Sequence, residues 1–198
     1  MSPATPFISA PWQQPLGMFS LLVEAPTEEP LTLAEGKLRA GLDWPASDPR
    51  DALMEGFISA ARSQVEQDTG LALLTQTRSI TYAPTTDPLA YVLLPPQAWP
   101  VQSVTAPTGL VNFRLNPATR ALQFPTPMDV AGTWQIVAGW PDAATLKAEA
   151  PLLVQAVGLL TAHFATLGRD LASEARHMEF VPMGYEECIA PYRLIWVT

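Results

Sequence analysis

Proline is what most limits this chain. Twenty-one prolines are spread over 198 residues, and each removes a backbone donor and fixes φ, so long helices need proline-free stretches. Two such stretches stand out. In the first, Ser47 or Asp48 is placed to cap, Pro49 takes an opening position and Asp51 favours the first turn. Leu53, Met54, Phe57, Ile58, Ala61 and Val65 then recur at helical spacing until Gly70, which predicts a helix over about 48–69. Arg62, Gln64, Glu66 and Gln67 are expected around its polar side. The second stretch follows Pro151, where Leu152, Leu153, Ala156, Leu159, Leu160, His163, Phe164 and Leu167 predict a helix to about residue 167. It is apolar on nearly all sides, so burial between a sheet and other helices is expected. A shorter helix starts at Thr32, with Glu35 completing a capping box, and reaches about Gly41.

Between Leu71 and Ala138 the pattern changes to strands. Thr75, Thr77, Ser79 and Thr81 alternate with Gln76, Arg78, Ile80 and Tyr82, a two-residue period. Shorter runs follow at 90–94, 101–105, 111–115, 121–124 and 133–138, with Pro95, Pro96, Pro107, Asn116-Pro117 and Pro125 as turns. A small antiparallel sheet or partial barrel packed with a small helical bundle is the expected α+β fold.

The two ends are different. Residues 1–30 hold six prolines, leaving no helical or strand period, yet Phe7, Trp12, Phe19 and Leu22 make them too apolar for a solvated linker. They are read as an extended arm laid over another surface, against the alternative of a disordered end. Residues 31–170 form the α+β domain, and 171–198 a tail. That tail carries Val181, Pro182, Tyr185, Ile189, Pro191, Tyr192, Arg193, Leu194, Ile195 and Trp196. Apolar surface of that size either meets a partner or folds back onto its own domain, and composition favours neither.

Several function classes conflict with the composition. A formal charge of −8 and eleven scattered Lys and Arg residues argue against gripping a phosphate backbone. A single cysteine, Cys188, excludes an internal disulfide and a Cys-based zinc knuckle. No apolar run approaches bilayer length and no signal-peptide pattern opens the chain, so a soluble, non-secreted protein without membrane contact is expected. No phosphate loop or dinucleotide fingerprint occurs. His163 is expected in the core and His177 in a loop, and a pairing of Cys188 with His177 lacks an orienting third group. Neither catalytic, cofactor nor metal residues are assigned.

In order along the chain, LTLAEGKLRAGL, DALMEGFISAARSQVEQDTGLALLTQT, VLLPPQAWPVQSV, WQIVAGWP, PLLVQAVGLLTAHFATLGRD and VPMGYEECIAPYR resemble motifs of the head–tail connector, or adaptor, proteins of tailed bacteriophages and phage-like gene transfer agents. The likeness covers about residues 31–193. Ala165-Thr166-Leu167-Gly168-Arg169 stands where the family often has an aromatic–Glu–Asn–Arg run, and Cys188-Ile189 replaces a commoner aliphatic pair. The resemblance implies a non-enzymatic subunit of a ring of about twelve copies beneath the portal protein. Such a ring extends the DNA channel without sequence-specific binding and meets the next neck or tail-completion protein. It implies a place in the neck of a virion or phage-like particle assembled in the bacterial cytoplasm. It also implies that the tail, from Val181 to Trp196, docks on the portal, with Phe7, Trp12, Phe19 and Leu22 as arm contacts. The alternatives are another neck or tail-completion protein, or a small virion-associated enzyme.

Overall fold

The computed structural model describes residues 18–45, 47–84, 89–107, 112–170 and 182–193. Seven strands and five helices follow one another as β1 (Met18–Glu24), α1 (Leu33–Arg39), α2 (Asp51–Thr69), β2 (Gln76–Tyr82), β3 (Leu89–Leu93), β4 (Val101–Thr105), β5 (Arg114–Asn116), β6 (Ala121–Met128), β7 (Gly132–Ala138), α3 (Ala143–Glu149), α4 (Pro151–Asp170) and α5 (Tyr185–Ile189). A 3-10 turn, Ala190–Tyr192, closes the described chain. The fold is α+β, as expected, with two antiparallel sheets in place of one: β1-β2-β7-β4 and β3-β6-β5.

The helical layer rests on α2 against α4. Met54, Ile58, Ala61 and Val65 of α2 and Leu153, Ala156, Val157 and Leu160 of α4 are buried, the spacing of one helix face meeting another. Leu53 and Leu152 remain 58% and 42% exposed, so neither helix is covered all round. Gly36 lets α1 approach closely, since a Cβ there would press on Ile58 and Met54. The Thr32–Glu35 capping box forms as predicted, Thr32 Oγ1 accepting from the Glu35 amide and Glu35 Oε2 from the Thr32 amide. Lys37 is buried and pairs with Asp51 at 2.5 Å, while Leu38 beside it is 80% exposed.

A second core lies within the sheets, where Tyr82, Phe113 and Phe124 surround the fully buried Trp134 at centroid separations of 6.1–6.4 Å. Trp134 donates to the Val130 carbonyl at 3.0 Å, so its ring nitrogen is satisfied inside. Trp99 packs against both cores, and beside the helical one Leu74 bridges Trp140. Gly139 makes this possible: at φ 107 a Cβ would overlap the Leu74 carbonyl.

Four local expectations are corrected. α2 starts at Asp51, because Asp48 folds its carboxylate onto the Arg50 amide and guanidinium and holds 48–50 as a turn. Arg62 and Glu66 are buried rather than solvent-facing, for the physical reason that they pair at 2.9 Å while Glu66 Oε1 accepts from the Leu73 amide at 2.9 Å. Pro125 does not end a strand: β6 runs through it inside an irregularity between the Leu89–Met128 and Tyr91–Gln123 pairs, where the ladder needs no donor. The proline-rich start does contain a strand, since β1 pairs antiparallel with β2 from Met18 opposite Tyr82 to Leu22 opposite Arg78. Its neighbour there is the chain's own sheet. Pro191 sits within the 3-10 turn Ala190–Tyr192.

Candidate functional site

The described part of the C-terminal segment begins with Pro182 and turns at Gly184, whose φ of 89 suits glycine. Tyr185 and Ile189 lie four residues apart on one face of α5 and are 1% and 0% exposed. They complete the helical core of α2 and α4, which corrects their assignment to a partner-facing tail. Tyr185 donates its hydroxyl to Asp68 Oδ2 at 2.6 Å, and burial together with that carboxylate pushes its pKa well above the ordinary phenol value. It therefore stays a donor at any physiological pH.

Arg120 then fixes the chain end. It sits at φ 48 in the turn between β5 and β6 and donates to the Thr69, Gly70 and Tyr192 carbonyls at 3.2, 3.4 and 3.0 Å. A cation over the C-terminal carbonyls of α2 also meets the negative end of the helix dipole. Arg193 forks onto Glu186 at 2.5 and 3.3 Å. Of the predicted tail residues, Pro182 and Tyr192 are half-buried and Pro191 and Arg193 exposed. Val181, Leu194, Ile195 and Trp196 lie outside the described residues, as do Phe7 and Trp12 of the arm.

Two open grooves flank these elements. One, of about 340 Å³, lies beneath the chain end and is lined by Leu71, Trp99, Pro100, Pro117, Trp140 and Tyr192. The other, of about 590 Å³, is lined by Trp44, Arg50, Leu53, Met54, Phe57 and Ala165, with the Arg50 guanidinium 4.4 Å above the Trp44 ring. The larger wall is mainly apolar and carries Asp43 beside Arg50, whereas the smaller is about half polar, with Arg120 and Arg193 in its lining.

At the opposite end of the first sheet, β1 presents Phe19, Leu21 and Val23 at 65%, 54% and 52% exposure, and Leu22 at 42%. Their neighbours on that outer face, Thr81, Ser79, Thr133 and Gln135, are short or polar. The apolar strip is thus confined to the sheet edge. Sequence reasoning reached Phe19 and Leu22 through bulk apolarity alone. Leu21 and Val23 belong to the same apolar run, and the surrounding prolines hid the strand that aligns them.

The titratable groups have structural duties. Cys188 is half-buried, with its thiol pushed up by burial and by the Glu187 charge, which disfavours the nucleophilic thiolate. His163 is half-buried on α4, and His177 lies outside the described residues. Burial raises the Glu66 carboxyl despite Arg62 beside it, and Arg62 bridges on to Glu29 at 2.8 Å. Among the described residues no three His, Cys, Asp or Glu side chains stand close enough to hold a metal ion.

No protein-family profile matches the chain, and no curated protein matches it. Solved structures do share its fold. A chain from the neck of an empty gene transfer agent particle, computed with C6 symmetry, superposes with a TM-score of 0.63 at 22% identity, covering 91% of this chain and 97% of that one. A chain from the virion of a native gene transfer agent particle gives 0.62 at 21% identity over 90% and 97%. A chain from the native particle's neck, computed with C12 symmetry, gives 0.55 at 21% identity over the same shares. The fold suggested by the sequence motifs is thus the fold of gene transfer agent neck chains.

Proposed function

We propose that this chain is a structural subunit of the neck of a phage-like particle: a head–tail connector that assembles as a ring beneath the portal, extends the DNA channel and joins capsid to tail. The observation that carries the reading is a shared fold over nearly the whole of both chains, 91% and 97%, with a protein of a particle neck. A match confined to one motif would leave the context open. Here the match spans 91% of this chain.

Charge supports the same role. With a net −8, a channel wall built from such subunits repels DNA and lets it slide, whereas a basic wall would hold it. The exposed remainder of the tail, Pro191 and Arg193, together with Leu194, Ile195 and Trp196, is proposed to dock on the portal. Arg193 offers a charge-assisted hydrogen bond there, and aromatic anchors such as Trp196 dominate interface energies. The half-buried Tyr192 would contribute its exposed edge, with its carbonyl held by Arg120.

Deletion of the gene in the producing cell tests this. Capsids that fill but carry no tails are the expected result, and restoring the full chain should restore tailed particles. Normal tailed particles from the deletion strain would sink the proposal. Co-purification with portal, compared with the next neck protein, separates a connector from a completion protein: capture only by the latter would shift the subunit one layer further from the capsid.

A further inference from the structure

The first sheet leaves the edge of β1 open among the described residues. Among the described residues β1 pairs only with β2 and β4 only with β7, so the sheet β1-β2-β7-β4 ends in two open edges. An open edge is a row of unpaired backbone donors and acceptors, and another extended segment is what satisfies it in register. Soluble proteins blunt such edges with lysine, proline or a bulge. The β1 sequence MFSLLVE has neither residue, and its one register shift lies between Leu22 and Glu24, leaving Met18–Leu22 regular. Phe19 and Leu21, exposed by 65% and 54%, line it.

Strand polarity decides what can cover it. Each neighbouring pair in the sheet is antiparallel, and the strand number is even, so β1 and β4 run in opposite directions. A second copy held in the same orientation therefore brings its β4 antiparallel to β1 and continues the pattern without a break. Leu22, Arg78, Ile136 and Val104 form one row across the sheet. In a straight continuation the neighbour's half-buried Val104 falls beside Leu22, and the two cover each other. Pairing of β1 with β1 would instead need a two-fold axis, close at two copies and leave both β4 edges open. Contacts between unlike edges propagate, and form a ring when the rotation closes. The chains sharing this fold come from necks solved with six-fold and twelve-fold rotational symmetry.

We propose that copies of this chain join edge to edge, β1 of one subunit against β4 of the next, so that the ring carries an intersubunit sheet. This rests on the neck reading above, and the test keeps the two apart. Two full-length variants block one edge each: Phe19→Lys with Leu21→Lys on β1, and Ser103→Lys with Thr105→Lys on β4, all on the outer face. Native mass spectrometry of concentrated protein should give rings for the wild type and monomers for either variant alone. An equimolar mixture of the two variants should give dimers, because one β1 and one β4 edge remain intact.

Rings from either variant alone overturn the proposal. So does dimerisation of the β4-blocked variant by itself, which would mean β1-to-β1 pairing, or a wild type that stays monomeric at every concentration. Should lysine lower the melting temperature, Phe19→Thr with Leu21→Thr keeps strand propensity and is read by the same outcomes. Immunoblots of purified particles judge the parent reading separately. Wild-type protein missing from particles sinks the neck assignment. Protein present in particles, with both blocked variants incorporated equally well, sinks the edge pairing alone.

Discussion

Glu66 shows how one side chain can hold two layers together. It pairs with Arg62 and accepts from the Leu73 amide where the chain leaves α2 for the sheets. Removing one partner of a buried pair leaves an uncompensated charge, typically about 3–5 kcal/mol. Glu66→Ala is therefore expected to lower unfolding free energy by about 3 kcal/mol in urea titration, and Glu66→Gln by less, since it keeps an acceptor for Leu73. Equal losses in both variants would mean that the Leu73 hydrogen bond contributes nothing. Gly139→Ala makes a second test at this scale. Its left-handed φ and the Leu74 carbonyl leave no room for a methyl, so a clear fall in melting temperature is expected. An unchanged melting curve would show that the Leu74–Trp140 crossing can shift.

Between elements, α1 is tied to α3 by an exposed pair whose pH dependence has a definite sign. The Lys147 ammonium, 2.7 Å from Glu35, is the largest cause holding the Glu35 carboxyl down at about 2 against 4.5. A depressed carboxylate stabilises fully above the unfolded value and loses that contribution as pH falls from 4.5 towards 2. Solvent screening limits the effect to about 0.2–1 kcal/mol. Lys147→Met should flatten the melting temperature over that acid window, and an unaltered slope would assign the acid sensitivity to other carboxylates. At α5, burial of Tyr185 and Ile189 contributes about 1.5–3 kcal/mol each. Truncation after Gly184 should therefore destabilise the domain, read as a lower melting temperature by circular dichroism.

At the scale of the whole molecule, truncation after Ala190 removes only Pro191, Tyr192 and Arg193 among the described residues. A folded protein that no longer enters particles is expected, measured by circular dichroism together with particle immunoblots. Wild-type incorporation would place the anchor elsewhere. The two N-terminal deletions should also diverge. Removing residues 1–17 spares every described hydrogen bond and ion pair. Removing 1–30 takes away β1, the Glu29–Arg62 pair and the Glu28 bond to the Ala143 amide, so its melting temperature should fall. An unaltered melting temperature for the longer deletion would show β1 to be dispensable to its own domain.

Local chemistry was enough to determine much of this protein. The Thr32–Glu35 cap, the stop at Gly70, the two-residue period of β2 and the apolar stripe of α2 are set by neighbours three or four residues away, and they could be read directly. The order of these motifs also carried the fold. What the tertiary structure decided depends on distant partners. β1 exists as a strand because β2 supplies its ladder 56 to 64 residues further on, from Leu22 with Arg78 to Met18 with Tyr82. Arg62 is inside because Glu29 and Glu66 meet it there, and Tyr185 is inside because Asp68 accepts its hydroxyl. Composition left the C-terminal segment divided between partner and core, and three-dimensional packing split it: Tyr185 and Ile189 fill the core, while Pro191 and Arg193 stay at the surface. The physical reason is that periodicity reports which residues want to be buried, whereas only the folded chain fixes which surface buries them.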